Sequence, residues 1–178
     1  VSDAELLEHG DAALRSCLAV LDTLTAAADA KPTPCTEYTV AGVREHLEGS
    51  MDLLGRAAGA EPAPEAADVA TRARAALAAW RARGLSGTVP IGSRTLPATQ
   101  AYAILPLELA VHGWDLAAAT GLPYTLPDDT ANYLLEQSAL LITPERRGRG
   151  FAAAVPVASD APVLERLIAF TGRDPRYT

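Results

Sequence analysis

Leu105-Pro-Leu-Glu-Leu-Ala-Val-His-Gly-Trp-Asp-Leu-Ala-Ala-Ala-Thr-Gly121 is the stretch on which the reading of this chain turns. Its apolar residues recur at helical spacing, and Gly121 followed by Pro123 marks a C-terminal stop. On such a helix Glu108 and His112 stand four residues apart, hence on one face, one turn above the other. Nearly every neighbour is Leu, Ile, Val or Ala. A carboxylate buried among such residues is costly unless something positive meets it. A metal ion, an arginine or a protonated histidine would each meet that need. The metal is preferred, because His46 is a second candidate ligand in an equally suggestive place.

The helix carrying this stretch is predicted over roughly 98–120, with Pro106 kinking it or marking a restart. Upstream, Leu6, Ala13, Leu14, Cys17, Leu18, Leu21 and Leu24 predict a long amphipathic helix over 3–29, broken by Pro32 and Pro34. Thr39 is a natural N-cap for a second helix running to about Ala60, with Val40, Val43, Leu47, Met51 and Leu54 as its apolar stripe. His46 lies beside that stripe, and its small neighbours Gly49 and Ser50 leave room for something to approach the imidazole. A Pro-rich linker, 61–65, precedes a third helix over 66–83. Between Gly84 and Pro97 the pattern becomes extended and hairpin-like, with Pro90 restricting it to an edge.

After the central stretch, Asp128 or Asp129 can cap a fifth helix whose apolar face is Tyr133, Leu134, Leu135, Ala139 and Leu140. A basic cluster, an extended stretch over 151–157 and a short helix over 162–171 complete the chain. Several long helices with few strands predict an all-α, four-helix bundle with a short hairpin excursion and a small C-terminal extension.

At 178 residues the chain is expected to form one domain, 1–178, and at 49% apolar it is too hydrophobic for disorder. A net charge of -7 argues against nucleic acid and anionic membrane as partners. No apolar run is long enough to span a bilayer and no signal-peptide pattern opens the sequence, so a cytoplasmic location is expected. Cys17 and Cys35 are too few for a disulfide framework. Cys17 falls on an apolar stripe and reads as a small core residue.

Two ligands at i and i+4 on one helix, joined by a third from a neighbour, form a standard metal site within a bundle. Two imidazoles and one carboxylate suit Zn²⁺, with Ni²⁺, Fe²⁺ and Mn²⁺ as weaker candidates. Three protein ligands leave a position for water or substrate, the mark of a catalytic site. Asp115 could orient the His112 imidazole, although a helix-surface carboxylate is the simpler reading. Arg146, Arg147 and Arg149 could hold a substrate carboxylate at the mouth of the site, although such clusters are more often simply solvated. Trp114 reads as packing, His9 as a surface residue and Cys35 as a buried or loop thiol rather than a nucleophile or fourth ligand.

Val-Arg-Glu-His46-Leu, Leu-Glu108-Leu-Ala-Val-His112-Gly-Trp-Asp-Leu-Ala and Phe170-Thr-Gly-Arg-Asp-Pro together resemble the actinobacterial branch of the DinB/YfiT-like superfamily. Within it they are most similar to the metal-binding domain of mycothiol-dependent maleylpyruvate isomerases. Thr33-Pro-Cys-Thr-Glu-Tyr-Thr-Val40 resembles that family's lead-in to the histidine-bearing helix, with Tyr38 where a tryptophan is usual. The resemblance implies a four-helix bundle holding a divalent metal, usually zinc, through His46, Glu108 and His112. It also implies a thiol-dependent transferase or isomerase in which mycothiol or another small thiol meets the metal and an electrophilic substrate. The alternative is a non-catalytic metal- or ligand-binding module, stress-associated, with its coordination closed by Asp115, Cys35 or a partner chain. An alanine-rich bundle face would suit a homodimer.

Overall fold

Helix α1 (Asp3–Leu21) opens in a capping box: the Ser2 hydroxyl accepts the Glu5 N–H, and the Glu5 carboxylate accepts the Ser2 N–H at 2.6 Å. The computed structural model, which describes residues 2–148 and 151–177, ends this helix well before the expected residue 29. Thr23 donates its hydroxyl to the Val20 carbonyl at 2.8 Å, satisfying a terminal acceptor from outside the helix. A short 3-10 turn, Ala26–Ala28, then leads to the Pro-rich loop.

Helix α2 (Val40–Ala57) begins where Thr39 accepts the Gly42 N–H, and all five residues of its expected stripe are buried. It stops short of Ala60, where Gly59 turns the chain with φ 91°. Helix α3 (Val69–Arg83) starts later than expected because Asp68, not a residue near 66, supplies the cap, accepting the Thr71 N–H at 2.8 Å. Trp80 ties α3 to α2 by donating to the Leu54 carbonyl at 3.1 Å. Strands β1 (Thr88–Ile91) and β2 (Arg94–Pro97) pair antiparallel, with Val89 opposite Leu96 and both buried.

Helix α4 (Ala98–Thr120) runs unbroken through Pro106 and ends at Gly121, which takes the left-handed conformation. It is buried on nearly every side. Helices α1 and α2 each pack against both α3 and α4, so α4 shares the core of a mostly helical bundle to which the hairpin is appended. Helix α5 (Asp128–Leu141) packs on α4 and α1 and carries α6 (Val163–Phe170) on its other flank.

Two expectations about α5 are corrected. Neither Asp128 nor Asp129 occupies the N-cap; Pro127 does, without a side-chain bond, and Asp129 instead accepts the Thr130 N–H from inside the helix. The inward face is Thr130, Ala131, Leu134, Ser138 and Leu141, while Ala139 is exposed and Leu140 is 58% exposed. Thr130 places its hydroxyl 3.0 Å from His9 Nδ1, and Leu140 is turned out. Among the described residues no helix is long and apolar enough to cross a membrane.

Candidate metal centre

The second turn of α2 and the middle of α4 bring His46, Glu108 and His112 together. The His46 Nε2–H donates to Glu108 Oε2 at 2.8 Å, and His112 Nε2 lies 3.6 Å from the same oxygen. The two imidazoles stand edge to face, 4.8 Å between centroids. Ligands about 2.0–2.2 Å from a tetrahedral zinc ion lie about 3.3 Å from one another. The spacings of 2.8 and 3.6 Å bracket that value, and all three ligand atoms fall within 4.8 Å of one another. His46 and Glu108 need only move slightly apart, and His112 and Glu108 slightly together, to reach that spacing, so the residues present fit a divalent metal.

Of the two small neighbours of His46, Gly49 has open space about it. Ser50 enters the site, donating its hydroxyl to Glu108 Oε2 at 3.2 Å. Tyr38 stacks on the His46 ring with centroids 5.0 Å apart, forming one wall.

Burial alone would push the Glu108 carboxyl up; the hydrogen bond from His46, then the adjacent His112, more than offset this and hold it below the usual range. Reciprocally, the hydrogen bond to Glu108 raises the His46 imidazole against the opposing effect of burial. Metal binding would displace the proton on His46 Nε2.

Asp115 is not the helix-surface carboxylate its position suggested. It is fully buried and lies under His112, accepting from the imidazole Nδ1–H at 2.9 Å. Burial disfavours its charge, but hydrogen bonds from His112 and Arg173 prevail, and the carboxyl stays ionised below its usual range. An ionised carboxylate only accepts, so His112 carries a proton on Nδ1 and turns its Nε2 towards Glu108. Arg173, just beyond α6, closes the chain of contacts. It donates from Nε to Oδ1 and from Nη2 to Oδ2, both at 2.9 Å, and from Nη1 to the Thr171 carbonyl at 3.2 Å. Nothing in local spacing marked Arg173. The only signal was its place in the Phe170-Thr-Gly-Arg-Asp-Pro motif.

The three ligands line a cavity of about 170 Å³ together with Cys35, Glu37, Tyr38, Leu107, Val111, Phe151 and Arg173. A second cavity of about 200 Å³ adjoins it beyond Cys35 and Phe151. Cys35 Sγ also lies within 4.8 Å of ligand atoms of His112 and Asp115, but Arg173 already engages both Asp115 oxygens. Burial raises the Cys35 thiol against the lowering effect of Arg173.

Arg146 and Arg147, read as either a substrate clamp or a solvated cluster, are engaged by backbone carbonyls. Arg146 donates to the Leu141 carbonyl at 2.8 Å, and Arg147 donates to the carbonyls of Ala152 and Phe170 at 2.7 and 3.1 Å. Leu141 and Phe170 end α5 and α6, where carbonyls lack helical partners, and the guanidinium groups are spent there. Arg149 lies outside the described residues. Trp114 packs half-buried against the core, and Cys17 is fully buried. His9 is not a plain surface residue: its Nδ1 is 3.0 Å from the Thr130 hydroxyl, and its ring stacks on Tyr133 at 4.4 Å, fastening α1 to α5.

An uncharacterized protein of Mycobacterium tuberculosis is 32% identical to this chain over 154 residues, covering 82% of the chain and 85% of the relative. The chain belongs to its family. The counterpart from a second strain of the same organism matches to the same extent, again 32% over 154 residues. No family model matches the sequence, and no solved structure does.

Proposed function

We propose that this chain binds one divalent metal ion, with zinc the best fit to its donors and nickel an alternative, as a DinB/YfiT-like bundle. We infer further that it acts on a small thiol such as mycothiol, as a transferase or isomerase with an electrophilic second substrate. One observation carries the reading: His46 Nε2, Glu108 Oε2 and His112 Nε2 converge on the floor of an accessible cavity. Two imidazoles and a carboxylate in that arrangement leave a coordination position free.

When bound, the ion would keep a thiol deprotonated near neutral pH and hold it beside its reaction partner. The chain's own residues supply the rest. Glu108 contributes negative charge that would partly neutralise the cation, and Ser50 orients the carboxylate. Asp115 holds His112 in the tautomer that offers Nε2. Leu107, Val111, Tyr38 and Phe151 give the cavity apolar walls that limit water near the reacting groups. Glu37, at the mouth, is exposed and acidic.

The test is metal content of the purified protein beside His112→Ala. About one equivalent of metal in the wild type, lost in the variant, is expected. A thiol-dependent turnover should also disappear on chelation. Absence of metal from the wild type even after zinc is supplied would refute the reading. Metal without any thiol coordination or turnover would leave a non-catalytic binding module.

A further inference from the structure

We propose that Arg173 is a positioning residue of the metal centre: by gripping Asp115 with two hydrogen bonds, it fixes His112 with Nε2 facing the cavity. The inference rests on the metal reading for its consequence and on geometry for its core. His112, Asp115 and Arg173 are 6%, 0% and 6% exposed, so their mutual contacts are largely shielded from solvent. Asp115 Oδ2 accepts from both the His112 Nδ1–H and the Arg173 Nη2–H, each at 2.9 Å. The second oxygen is held by Arg173 Nε, so the carboxylate cannot rotate without breaking the fork. The imidazole therefore takes its orientation from a residue 58 positions further along the chain than Asp115.

A lysine in this place would supply charge without the planar fork. Position 173 should accordingly discriminate between the two basic residues. Arg147 provides the matching control. It also ties the segment near α6, through the Phe170 carbonyl and its guanidinium lying 4.9 Å over the Phe170 ring, but its hydrogen bonds go to Ala152 and Phe170.

The experiment compares wild type, Arg173→Ala, Arg173→Lys and Arg147→Ala by two measurements. The first is the ¹⁵N-edited NMR signature of the His112 ring in metal-free protein; the second is zinc affinity by competition with a chelator. Arg173→Ala should lose the Nδ1–H signal of a ring hydrogen-bonded to Asp115 and bind zinc about 10–100-fold more weakly, the usual effect of removing an outer hydrogen-bonding partner. Millimolar methylguanidinium should restore both, Arg173→Lys should fall between, and Arg147→Ala should match the wild type. A wild-type ring signature or affinity in Arg173→Ala would overturn the proposal, as would equal weakening in Arg147→Ala. If Arg173→Ala does not fold, Arg173→Lys decides by the same two readouts. Failure of the wild type to bind zinc would refute the metal reading separately, and the ring signature would still decide the role of Arg173.

Discussion

Asp115→Asn should be one of the most damaging substitutions that leave side-chain volume unchanged. Asp115 is fully buried and accepts three hydrogen bonds, one from His112 and two from Arg173. The amide replaces one acceptor oxygen with an NH₂ that faces a donor, and it leaves a 6% exposed guanidinium without its counter-charge. Removing one partner from a buried ion pair costs about 3–5 kcal/mol. For a chain of this size each kcal/mol moves the melting temperature by about 2–4 °C, so a fall of about 6–20 °C is expected. Replacing both partners, Asp115→Leu with Arg173→Met, removes the stranded charge and should recover most of that loss. Thermal unfolding followed by circular dichroism, with a chelator present throughout, measures both. A loss below about 1 kcal/mol in the single variant would show that the pair is not buried as described. A double variant no more stable than the single would refute the argument that charge compensation dominates. The double variant should still bind zinc poorly, because it restores stability without restoring the orientation of His112.

The metal-free protein should lose stability towards both acid and base, for separate reasons. Glu108 and Asp115 titrate below their usual range, so their stabilisation is complete above about pH 4 and disappears as pH falls through the lowered values. His46 titrates above its usual value, so its contribution is complete below about pH 6.5 and is lost as pH rises through the raised value. Urea midpoints should therefore decline above neutrality, and less steeply in His46→Gln; identical slopes would refute the assignment. Gly113→Ala should cost about 1–3 kcal/mol by overpacking. Its methyl would lie 3.2 Å from the Cys17 Cα and 3.1 Å from the Tyr124 ring, and a denaturant midpoint equal to wild type would contradict so close an approach of α1 and α4.

The bundle was legible where apolar residues recur at helical spacing. The stripe of α2, its Thr39 cap, the hairpin and the reach of α4 all follow from local chemistry. His46, Glu108 and His112 stood out because polar residues in apolar surroundings need a reason to be there. Asp115 was misread because its burial depends on Arg173, which arrives from far along the chain. The arginine cluster, read as a clamp or a solvated group, answers to a different need. Adjacent guanidinium groups suggest a ligand, yet Arg146 and Arg147 serve carbonyls left over where α5 and α6 end, a need visible only once those ends are placed. On α5, Leu134 is buried as expected, but Ala139 and Leu140 are exposed and Thr130 and Ser138 take inward positions. The expected length of α1 ran on to the Pro32 break because Leu24 keeps the helical spacing, but the helix ends at Leu21 with Asp22 as its cap.

Depth differs sharply among the three candidate ligands. The His46, Glu108 and His112 side chains are 30%, 19% and 8% exposed, and only His112 is locked from behind. Two of them share one rigid helix and cannot separate, whereas His46 belongs to α2 and meets Glu108 across the gap between helices. An ion held there would come and go by one route: His46 would be the last ligand to engage on arrival and the first to release on departure. Exchange kinetics would then be set at α2.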